Sequence, residues 1–187
     1  MINELKIGLD VDGVLADVIH TWLDYNNKIR RTIKKEEISE WDFWKFYNID
    51  KYDFYKELSL CWQTWREIPS TEANLSTITS KLEKIGEVDI VTAREKSTHT
   101  YVKSWLSSQK IAYKNYIGVS EGSEKTKLDY DIFIDDSPIN AQNMLDEGKS
   151  VILYTQPWNK KFDDPRVKRI SQLKDSIPII KNLFHSS

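Results

Sequence analysis

The chain has 187 residues, 40% of them hydrophobic and 30% charged, with 27 basic and 29 acidic side chains and a formal net charge of −2. These values are typical of one globular domain with a small subdomain, and they give no overall field that would draw the chain onto a nucleic-acid polymer or an anionic membrane. The single cysteine, Cys61, excludes an internal disulfide, and no apolar run is longer than about seven residues, so we expect a cytoplasmic protein without a signal peptide or membrane span.

Four short runs rich in Val, Ile and Leu predict β-strands. They lie at Lys6 to Val11, Val88 to Thr92, Ile132 to Asp135 and Val151 to Tyr154, with helix-length segments between them. Continuous apolar strands that alternate with helices are typical of a parallel sheet covered on both faces. We therefore predict an α/β fold built on a doubly wound parallel sheet.

The segment between the first two strands departs from this pattern. From about Thr32 to Pro69 there is no strand-like alternation, and ten of the 25 residues from Trp41 to Trp65 are aromatic. We predict a small helical cap over residues 17–69, inserted after the first strand into a core formed by residues 1–16 and 70–187. Most of the aromatic side chains should pack together, because a subdomain of this size needs them for its own core.

Helical patterns fill the rest of the core. Helices are predicted over residues 75–85, 98–109 and 138–147, with a last helix over 175–184. Ser137 lies where the N-cap of the third helix belongs, because its hydroxyl can accept a hydrogen bond from the first turn. Strand and helix therefore alternate along the chain, as a doubly wound sheet requires.

Four aspartates follow two of the predicted strands. Asp10 and Asp12 come after the first strand, and Asp135 and Asp136 lie at the end of the third. The carboxyl ends of parallel strands share one edge of the sheet, where ligands bind. Carboxylates brought within a few ångströms of one another require a cation, and oxygen ligands of this kind suit Mg²⁺. We therefore predict a magnesium site that includes these four residues.

Two further residues at the same edge suit an anion. Thr92 ends the second strand and Lys125 lies just before the third. A hydroxyl and an ammonium group do not complete a metal site, but they can bind phosphate, together with backbone N–H groups of the turn at Asp12 and Gly13 and a helix N-terminus. Lys127 is the alternative to Lys125.

The motifs at this edge are similar to those of a known superfamily. DVDGVLAD at 10–17, IVTAR at 90–94, a lysine ten residues before the first aspartate of IDD, and IDDSP at 134–138 resemble, in order, the four motifs of the haloacid dehalogenase-like (HAD-like) hydrolases. The resemblance spans roughly residues 5–155. With an aromatic cap and EKTKLDYDIFIDDSP at 124–138, the chain most resembles the branch of 5′(3′)-deoxyribonucleotidases and bacterial nucleotidases. It implies a Rossmann-like core with the cap after the first strand.

The resemblance implies roles for the residues of the first motif. Asp10 would be the nucleophile, forming an aspartyl-phosphate, and a metal ligand. Asp12 would protonate the leaving group, then deprotonate the attacking water, and give its backbone carbonyl to the metal. A carboxylate at position 12 favours a phosphomonoesterase over a dehalogenase, which has no ester oxygen to protonate. Asp17 lies past the turn and is expected to stabilise the N-terminus of the next helix.

The later motifs would complete the site. Asp136 would ligate the metal directly, with Asp135 ligating or supporting it. Thr92 would hydrogen-bond the transferring phosphoryl group, and Lys125 would neutralise it. A ten-residue separation from Asp135 favours this lysine over Lys127.

Substrate contacts are expected from both the core and the cap. They are Gly13, Ala93, Arg94, Trp41, Trp44, Trp62 and Trp65. Arg94 either contacts a second anionic group of the substrate or pairs with Asp89 or Glu95. A nucleotide base would stack on the aromatic rings, although any apolar leaving group would also contact them.

These observations predict a Mg²⁺-dependent phosphatase for a small phosphomonoester, with a nucleoside monophosphate as the preferred substrate. A sugar phosphate or another phosphorylated metabolite is the alternative substrate. A receiver-like phosphate-binding module also gathers Asp, Thr and Lys around Mg²⁺, but it has neither the DxD after its first strand nor a cap. The sequence leaves the oligomeric state open, with a homodimer as one arrangement.

Overall fold

The computed structural model describes residues 5–30 and 32–184. Its strands are β1 Lys6–Leu9, β2 Glu87–Ala93, β3 Tyr116–Val119, β4 Ile132–Asp135, β5 Ser150–Tyr154 and β6 Lys168–Ile170. Its α-helices are α1 Val18–Ile29, α2 Lys51–Gln63, α3 Leu75–Leu82, α4 His99–Ser108, α5 Pro138–Asp146 and α6 Ser176–Phe184. The strands form a parallel sheet in the order β3-β2-β1-β4-β5-β6.

Apolar side chains cover both faces of the sheet. Ile132 and Ile134 of β4 belong to the cluster that includes the buried residues of α3, α4 and α6. Phe133, between them, belongs to a second cluster that includes Met144 of α5. Because successive side chains of a strand point to opposite faces, these two clusters lie on the two sides of the sheet. The predicted doubly wound α/β fold is confirmed.

The sequence pattern does not predict β3 or β6, which form the two edges of the sheet. β3 has no fully buried residue, and two of the three residues of β6 are exposed. An edge strand pairs on one side only and is less covered, so its sequence lacks the continuous apolar run of a central strand. The four predicted strands are confirmed to within two residues at each end, and the four predicted helices appear as α3 to α6.

Residues 17–69, called the insertion below, leave the sheet after β1 and return before β2. The two ends of the insertion lie side by side, since Ala16 and Ser70 form an antiparallel bridge. Next to the bridge, the Asp17 N–H donates to the Pro69 carbonyl at 2.8 Å. The insertion therefore starts and ends at neighbouring points of the core.

The insertion is helical and has an aromatic core. Beside α1 and α2 it contains three short 3-10 helices, Lys35–Glu37, Phe43–Tyr47 and Trp65–Glu67. Trp22 meets Phe43, Tyr47 and Phe54 edge to face at centroid distances of 5.1 to 5.8 Å. Trp44 stacks on Phe54 at 4.4 Å. The expectation that most of these rings pack together is confirmed. No helix in the described parts of the chain is both long enough and apolar enough to span a bilayer.

The first helix of the insertion begins at the predicted aspartate. Asp17 Oδ1 accepts a hydrogen bond from the backbone N–H of His20 at 3.1 Å. The other carboxylate oxygen of Asp17 pairs with Lys35 Nζ at 2.6 Å. Asp17 is therefore the N-cap of α1, and its expected helix-stabilising role is confirmed.

One carboxylate joins the two helices of the insertion. Glu57 of α2 accepts hydrogen bonds from two side chains of α1, Trp22 Nε1 at 2.9 Å and Asn26 Nδ2 at 3.4 Å. It also accepts one from Nη2 of Arg30, the C-cap residue of α1, at 2.8 Å. Burial disfavours the charged carboxylate, yet the bonds from Arg30 and Trp22 outweigh burial and lower the pKa of Glu57 below its ordinary value.

Glu57→Gln removes this charge and should reduce the free energy of unfolding by about 1–3 kcal/mol near pH 7, measured by urea denaturation. The folded-state pKa lies below the ordinary value of 4.5. The additional free energy of unfolding that the Glu57 carboxylate gives the wild type is therefore fully present above the ordinary pKa. It is lost as the pH falls through the folded-state pKa. Glu67→Gln, an exposed residue of the same insertion, is the control and should leave stability unchanged. A deficit of Glu57→Gln that stays constant at acid pH would contradict this interpretation.

Candidate active site

The predicted site lies at the carboxyl edge of three adjacent strands. In the central strand β1, Leu9 pairs with Ile90 of β2 and with Ile134 of β4. Asp10 follows directly, and its N–H donates to the Ile134 carbonyl at 3.0 Å. This register brings Asp10, Thr92 and the end of β4 to one edge of the sheet, where parallel sheets bind ligands.

Three buried carboxylates meet there around one lysine. Carboxylate oxygens of Asp10, Asp135 and Asp136 all lie within 4.8 Å of one another. Lys125 Nζ lies 3.1 Å from Asp10 Oδ1 and 2.7 Å from Asp135 Oδ2. All four side chains are buried, so water screens their charges little.

Burial and the neighbouring carboxylates raise the pKa of two members of this cluster. Burial raises the pKa of Asp10 to about 7, with Lys125 opposing the shift and Asp135 adding to it. Burial, followed by the charges of Asp135 and Asp10, raises the pKa of Asp136 well above its ordinary value. One ammonium group faces three carboxylates, and a divalent cation would supply the missing positive charge.

The two aspartates of the last motif have different surroundings. Asp135 accepts hydrogen bonds from Lys125 Nζ at 2.7 Å, the Ser137 N–H at 2.8 Å, and Asn140 Nδ2 at 3.2 and 3.3 Å. Asp136 accepts one, from Trp158 Nε1 to Oδ2 at 2.9 Å, and Oδ1 has no partner within residues 5–30 and 32–184. Asp136 thus has an oxygen free to bind a metal, whereas both oxygens of Asp135 are occupied.

The carboxylate of Asp12 does not join the cluster formed by Asp10, Asp135 and Asp136. Its Oδ1 accepts a hydrogen bond from Trp62 Nε1 at 3.1 Å, and its Oδ2 pairs with Arg94 Nε. Asp12 lies at the same edge as the other three aspartates and lines the same cavity as Asp10 and Asp136, but its carboxylate pairs with a buried guanidinium and is not part of the close group of three. Metal binding through the backbone carbonyl of Asp12 stays a prediction.

The ion pair also corrects the expected partners of Arg94. Neither Asp89 nor Glu95 pairs with it. Asp89 instead accepts hydrogen bonds from Asn115 Nδ2 at 3.0 Å and from the Tyr130 hydroxyl at 2.7 Å. Arg94 follows the end of β2 and reaches across to the β1 edge, so its partner is Asp12, 82 positions earlier in the chain.

The residues predicted to bind phosphate lie beside the cluster. Thr92 is 1% exposed, and its hydroxyl has no hydrogen-bond partner in the described chain. It lines a cavity in front of the carboxylates, so it is free to bond a ligand. Lys125 is buried against two carboxylates, whereas Lys127 is exposed. Of the two lysines, the geometry favours Lys125.

Gly13 is required by the close approach of the first and last motifs. Its φ is +77°, and a Cβ at this position would lie 2.1 Å from Asp136 Oδ2 and 3.2 Å from the Trp158 ring. Any side chain would therefore displace Asp136 and adopt a backbone conformation that L-residues rarely take. The turn after β1 therefore brings its backbone against the carboxylate of Asp136.

A cavity of about 520 Å³ opens in front of these groups, between the sheet edge and the insertion. This volume is within the range of small-molecule sites, about 300–1,000 Å³. Of the predicted substrate contacts, five line the cavity: Gly13, Ala93, Arg94, Trp41 and Trp44.

Two predicted substrate contacts are wrong. Trp62 is 0% exposed and does not line the cavity, because its indole is covered and contacts Asp12. Trp65 is the first residue of the short helix that follows α2. It lines a shallow surface depression with Thr100 and Lys103 of α4 and does not line the cavity of the carboxylates.

Three residues of the site are not singled out by the sequence pattern. Tyr55 lines the cavity and belongs to the aromatic-rich segment, so the composition signals it. Asn140 bonds Asp135 from the first turn of α5, and its position one turn after Ser137 could have indicated this contact. Trp158, which bonds Asp136, has no local signal, since only the fold brings it to the site.

Comparison with known proteins gives the same family. The family model described as 5′ nucleotidase, deoxy (pyrimidine), cytosolic type C protein matches residues 3–183. A nucleotidase of Clostridium acetobutylicum is 22% identical over 192 residues, covering 99% of this chain and 98% of its own. A protein of Chlorobaculum tepidum with the provisional name 5′(3′)-deoxyribonucleotidase is 26% identical over 190 residues, covering 94% of this chain and 91% of its own.

Solved structures show the same fold. A haloacid dehalogenase-like family hydrolase from Streptococcus pneumoniae matches with a TM-score of 0.67 at 14% identity, covering 96% of this chain and 99% of that one. A HAD-superfamily hydrolase from Geobacter sulfurreducens matches with a TM-score of 0.61 at 12% identity, covering 95% and 96%. The family model spans nearly the whole chain and the fold agrees with it, so the chain belongs to the type C, deoxy (pyrimidine) 5′-nucleotidase family of HAD-like phosphatases.

Proposed function

We propose that this chain is a Mg²⁺-dependent phosphomonoester hydrolase that works through an aspartyl-phosphate on Asp10 and acts on nucleoside monophosphates. The observation that carries the proposal is the buried cluster of three carboxylates around Lys125. A cavity of the right size for a small phosphorylated molecule opens onto it. Family membership favours this enzyme over a receiver-like binding module.

The proposed reaction has two steps. In the first, a carboxylate oxygen of Asp10 attacks phosphorus, the ester P–O bond breaks, and Asp12 gives a proton to the departing oxygen. In the second, water attacks the acyl phosphate and Asp12 takes a proton from it, which releases phosphate and regenerates Asp10. Asp12 must therefore be held on the leaving-group side of Asp10, and its position outside the metal-binding cluster supports this role.

The donor set fits Mg²⁺. Asp10 and Asp136 would ligate it, with the backbone carbonyl of Asp12, while the hydrogen-bonded Asp135 would hold Lys125 and support the site. When bound, the metal would neutralise phosphoryl oxygens and the excess carboxylate charge. Thr92 would bond the phosphoryl group through its free hydroxyl, and Lys125 would offset its charge.

Aromatic side chains favour a substrate with a flat ring. Trp41, Trp44 and Tyr55 of the insertion line the cavity opposite Asp10 and Thr92. A nucleotide base offers a ring face that such side chains can stack on, as their counterparts do in nucleic-acid-binding proteins. Two relatives carry nucleotidase names, which supports the same substrate class. We therefore propose the insertion as a cap that binds the nucleoside.

Asp10→Asn should lower phosphate release from p-nitrophenyl phosphate by about a thousandfold or more, because the amide cannot form the acyl phosphate. Mass spectrometry of acid-quenched wild-type enzyme should find one phosphoryl group on the peptide that contains Asp10. Asp24→Asn is the control, since Asp24 is exposed and pairs only with His20 within the described chain. Full activity of Asp10→Asn would exclude the mechanism.

Removal of metal should stop turnover, since the cluster then repels a dianionic phosphate. EDTA should abolish activity and added Mg²⁺ should restore it. Mg²⁺ should also raise the melting temperature of the wild type by several degrees, but not that of Asp136→Asn, because that variant lacks a carboxylate oxygen of the site. Asp163→Asn, at an exposed position, should respond like the wild type. Turnover without any divalent metal would count against the carboxylate cluster.

A substrate screen tests the nucleotidase proposal apart from the phosphatase one. Phosphate release should be compared across nucleoside monophosphates, sugar phosphates and phosphorylated cofactors, using kcat/KM. We expect nucleoside monophosphates to exceed sugar phosphates by about tenfold or more, because stacking on aromatic rings contributes about 1–3 kcal/mol per base. A preference for sugar phosphates, or equal rates throughout, would refute the nucleotide preference and leave phosphatase activity standing.

A further inference from the structure

Two buried donors from different parts of the fold hold the carboxylate of Asp12. Arg94 comes from the core, directly after β2, and bonds Oδ2 through Nε. Trp62 comes from α2 of the insertion and bonds Oδ1 through Nε1 at 3.1 Å. The Arg94 side chain is 3% exposed, and Trp62 is entirely buried. Each carboxylate oxygen thus has its own donor.

In the described parts of the chain, the side chains of Arg94 and Trp62 donate hydrogen bonds to Asp12 and to no other residue. Within residues 5–30 and 32–184, Asp12 is the only ion-pair partner of Arg94 and the only hydrogen-bond partner of the Trp62 indole. A buried arginine with a purely structural role normally bonds several acceptors, because it has five N–H donors. Here the Nε–H of Arg94 bonds the Asp12 carboxylate. The other four N–H groups of its guanidinium make no hydrogen bond within residues 5–30 and 32–184.

We propose that Arg94 and Trp62 are positioning residues that hold the Asp12 carboxylate in line with the leaving group. The proposal rests on the proposed role of Asp12 as the acid of the first step. An aspartate side chain turns about two bonds, and donors on both oxygens restrict both rotations. Since Trp62 belongs to the insertion, Asp12 is fixed only when α2 is packed against the core.

The rate increase that a general acid provides depends on how basic the leaving group is, because a basic leaving group must be protonated as it departs. p-Nitrophenolate leaves without protonation near neutral pH, whereas the alkoxide from benzyl phosphate requires it. The two compounds have single rings of similar size, so both should fit the cavity. kcat/KM covers the steps up to departure of the leaving group and is not affected by the later hydrolysis of the acyl phosphate.

Trp62→Phe is the main test, because it keeps a buried ring and removes the N–H. We expect kcat/KM for benzyl phosphate to fall by about tenfold or more and kcat/KM for p-nitrophenyl phosphate to fall by less than about threefold. Arg94 also lines the cavity, so Arg94→Met is judged by the ratio of the two kcat/KM values, which should shift at least threefold against benzyl phosphate. Arg94→Lys, which keeps a cationic donor, should recover part of that shift. A loss of folded structure would lower both rates equally.

Trp105→Phe is the matched control. Trp105 packs against Trp62 with ring centroids 6.3 Å apart and donates its indole N–H to the Ile68 carbonyl at 2.8 Å, not to a site carboxylate. This variant removes the same chemical group from an equally buried position, so it should leave the ratio of the two kcat/KM values unchanged.

Asp12→Asn separates failure of this proposal from failure of the proposed function. If Asp12→Asn lowers kcat/KM for benzyl phosphate at least tenfold more than kcat/KM for p-nitrophenyl phosphate, Asp12 is the acid. Equal losses for the two substrates in Trp62→Phe and Arg94→Met would then overturn the positioning role. If Asp12→Asn itself affects both substrates equally, the proposed acid role fails first, and the positioning role fails with it. If Trp62→Phe does not fold, the two Arg94 variants decide by the same ratio.

Discussion

The excess of buried negative charge at the end of the sheet is the constraint on which the rest of the site depends. Asp10, Asp135 and Asp136 share a single ammonium group, that of Lys125. A buried ion pair is tolerated only when its remaining lone pairs are also satisfied, and Asp135 meets this condition with bonds from Ser137 and Asn140. Within residues 5–30 and 32–184, Asp136 keeps one carboxylate oxygen, Oδ1, without a hydrogen-bond partner. The fold thus brings carboxylates that would bind a cation and an ammonium group that would bind an anionic substrate to the same place.

Backbone geometry makes this crowding possible. The turn after β1 approaches Asp136 so closely that position 13 has no room for a side chain. Trp158 donates its indole N–H to the same carboxylate, and its ring stacks on Phe43 of the insertion at 5.8 Å. A second indole, that of Trp62, bonds Asp12. Each of the two roles proposed for carboxylates, metal binding and proton transfer, is therefore linked to the packing of the insertion.

The sequence predicts those features that depend on neighbouring residues. Central strands such as β1 and β4 are continuous apolar runs, and Asp10 and Asp136 follow them directly. The same stretch of sequence therefore predicts both the strand and the candidate site residue at its end. Features that depend on distant residues are not predicted. The edge strands β3 and β6 lack a buried run, the partner of Arg94 lies 82 positions away, and the N–H direction of Trp62 is set by the packing of α2. Aromatic composition identifies a core but not which rings face the cavity.

The paired ends of the insertion have an evolutionary consequence. Because Ala16 and Ser70 are bridged, residues can be gained or lost between them without changing the distance that the chain must cover between β1 and β2. The carboxylates of the sheet edge lie outside this interval, and the aromatic rings that line the cavity with them lie inside it. Relatives could therefore diverge in substrate range through changes confined to one replaceable segment, while selection keeps the chemistry of the sheet edge constant.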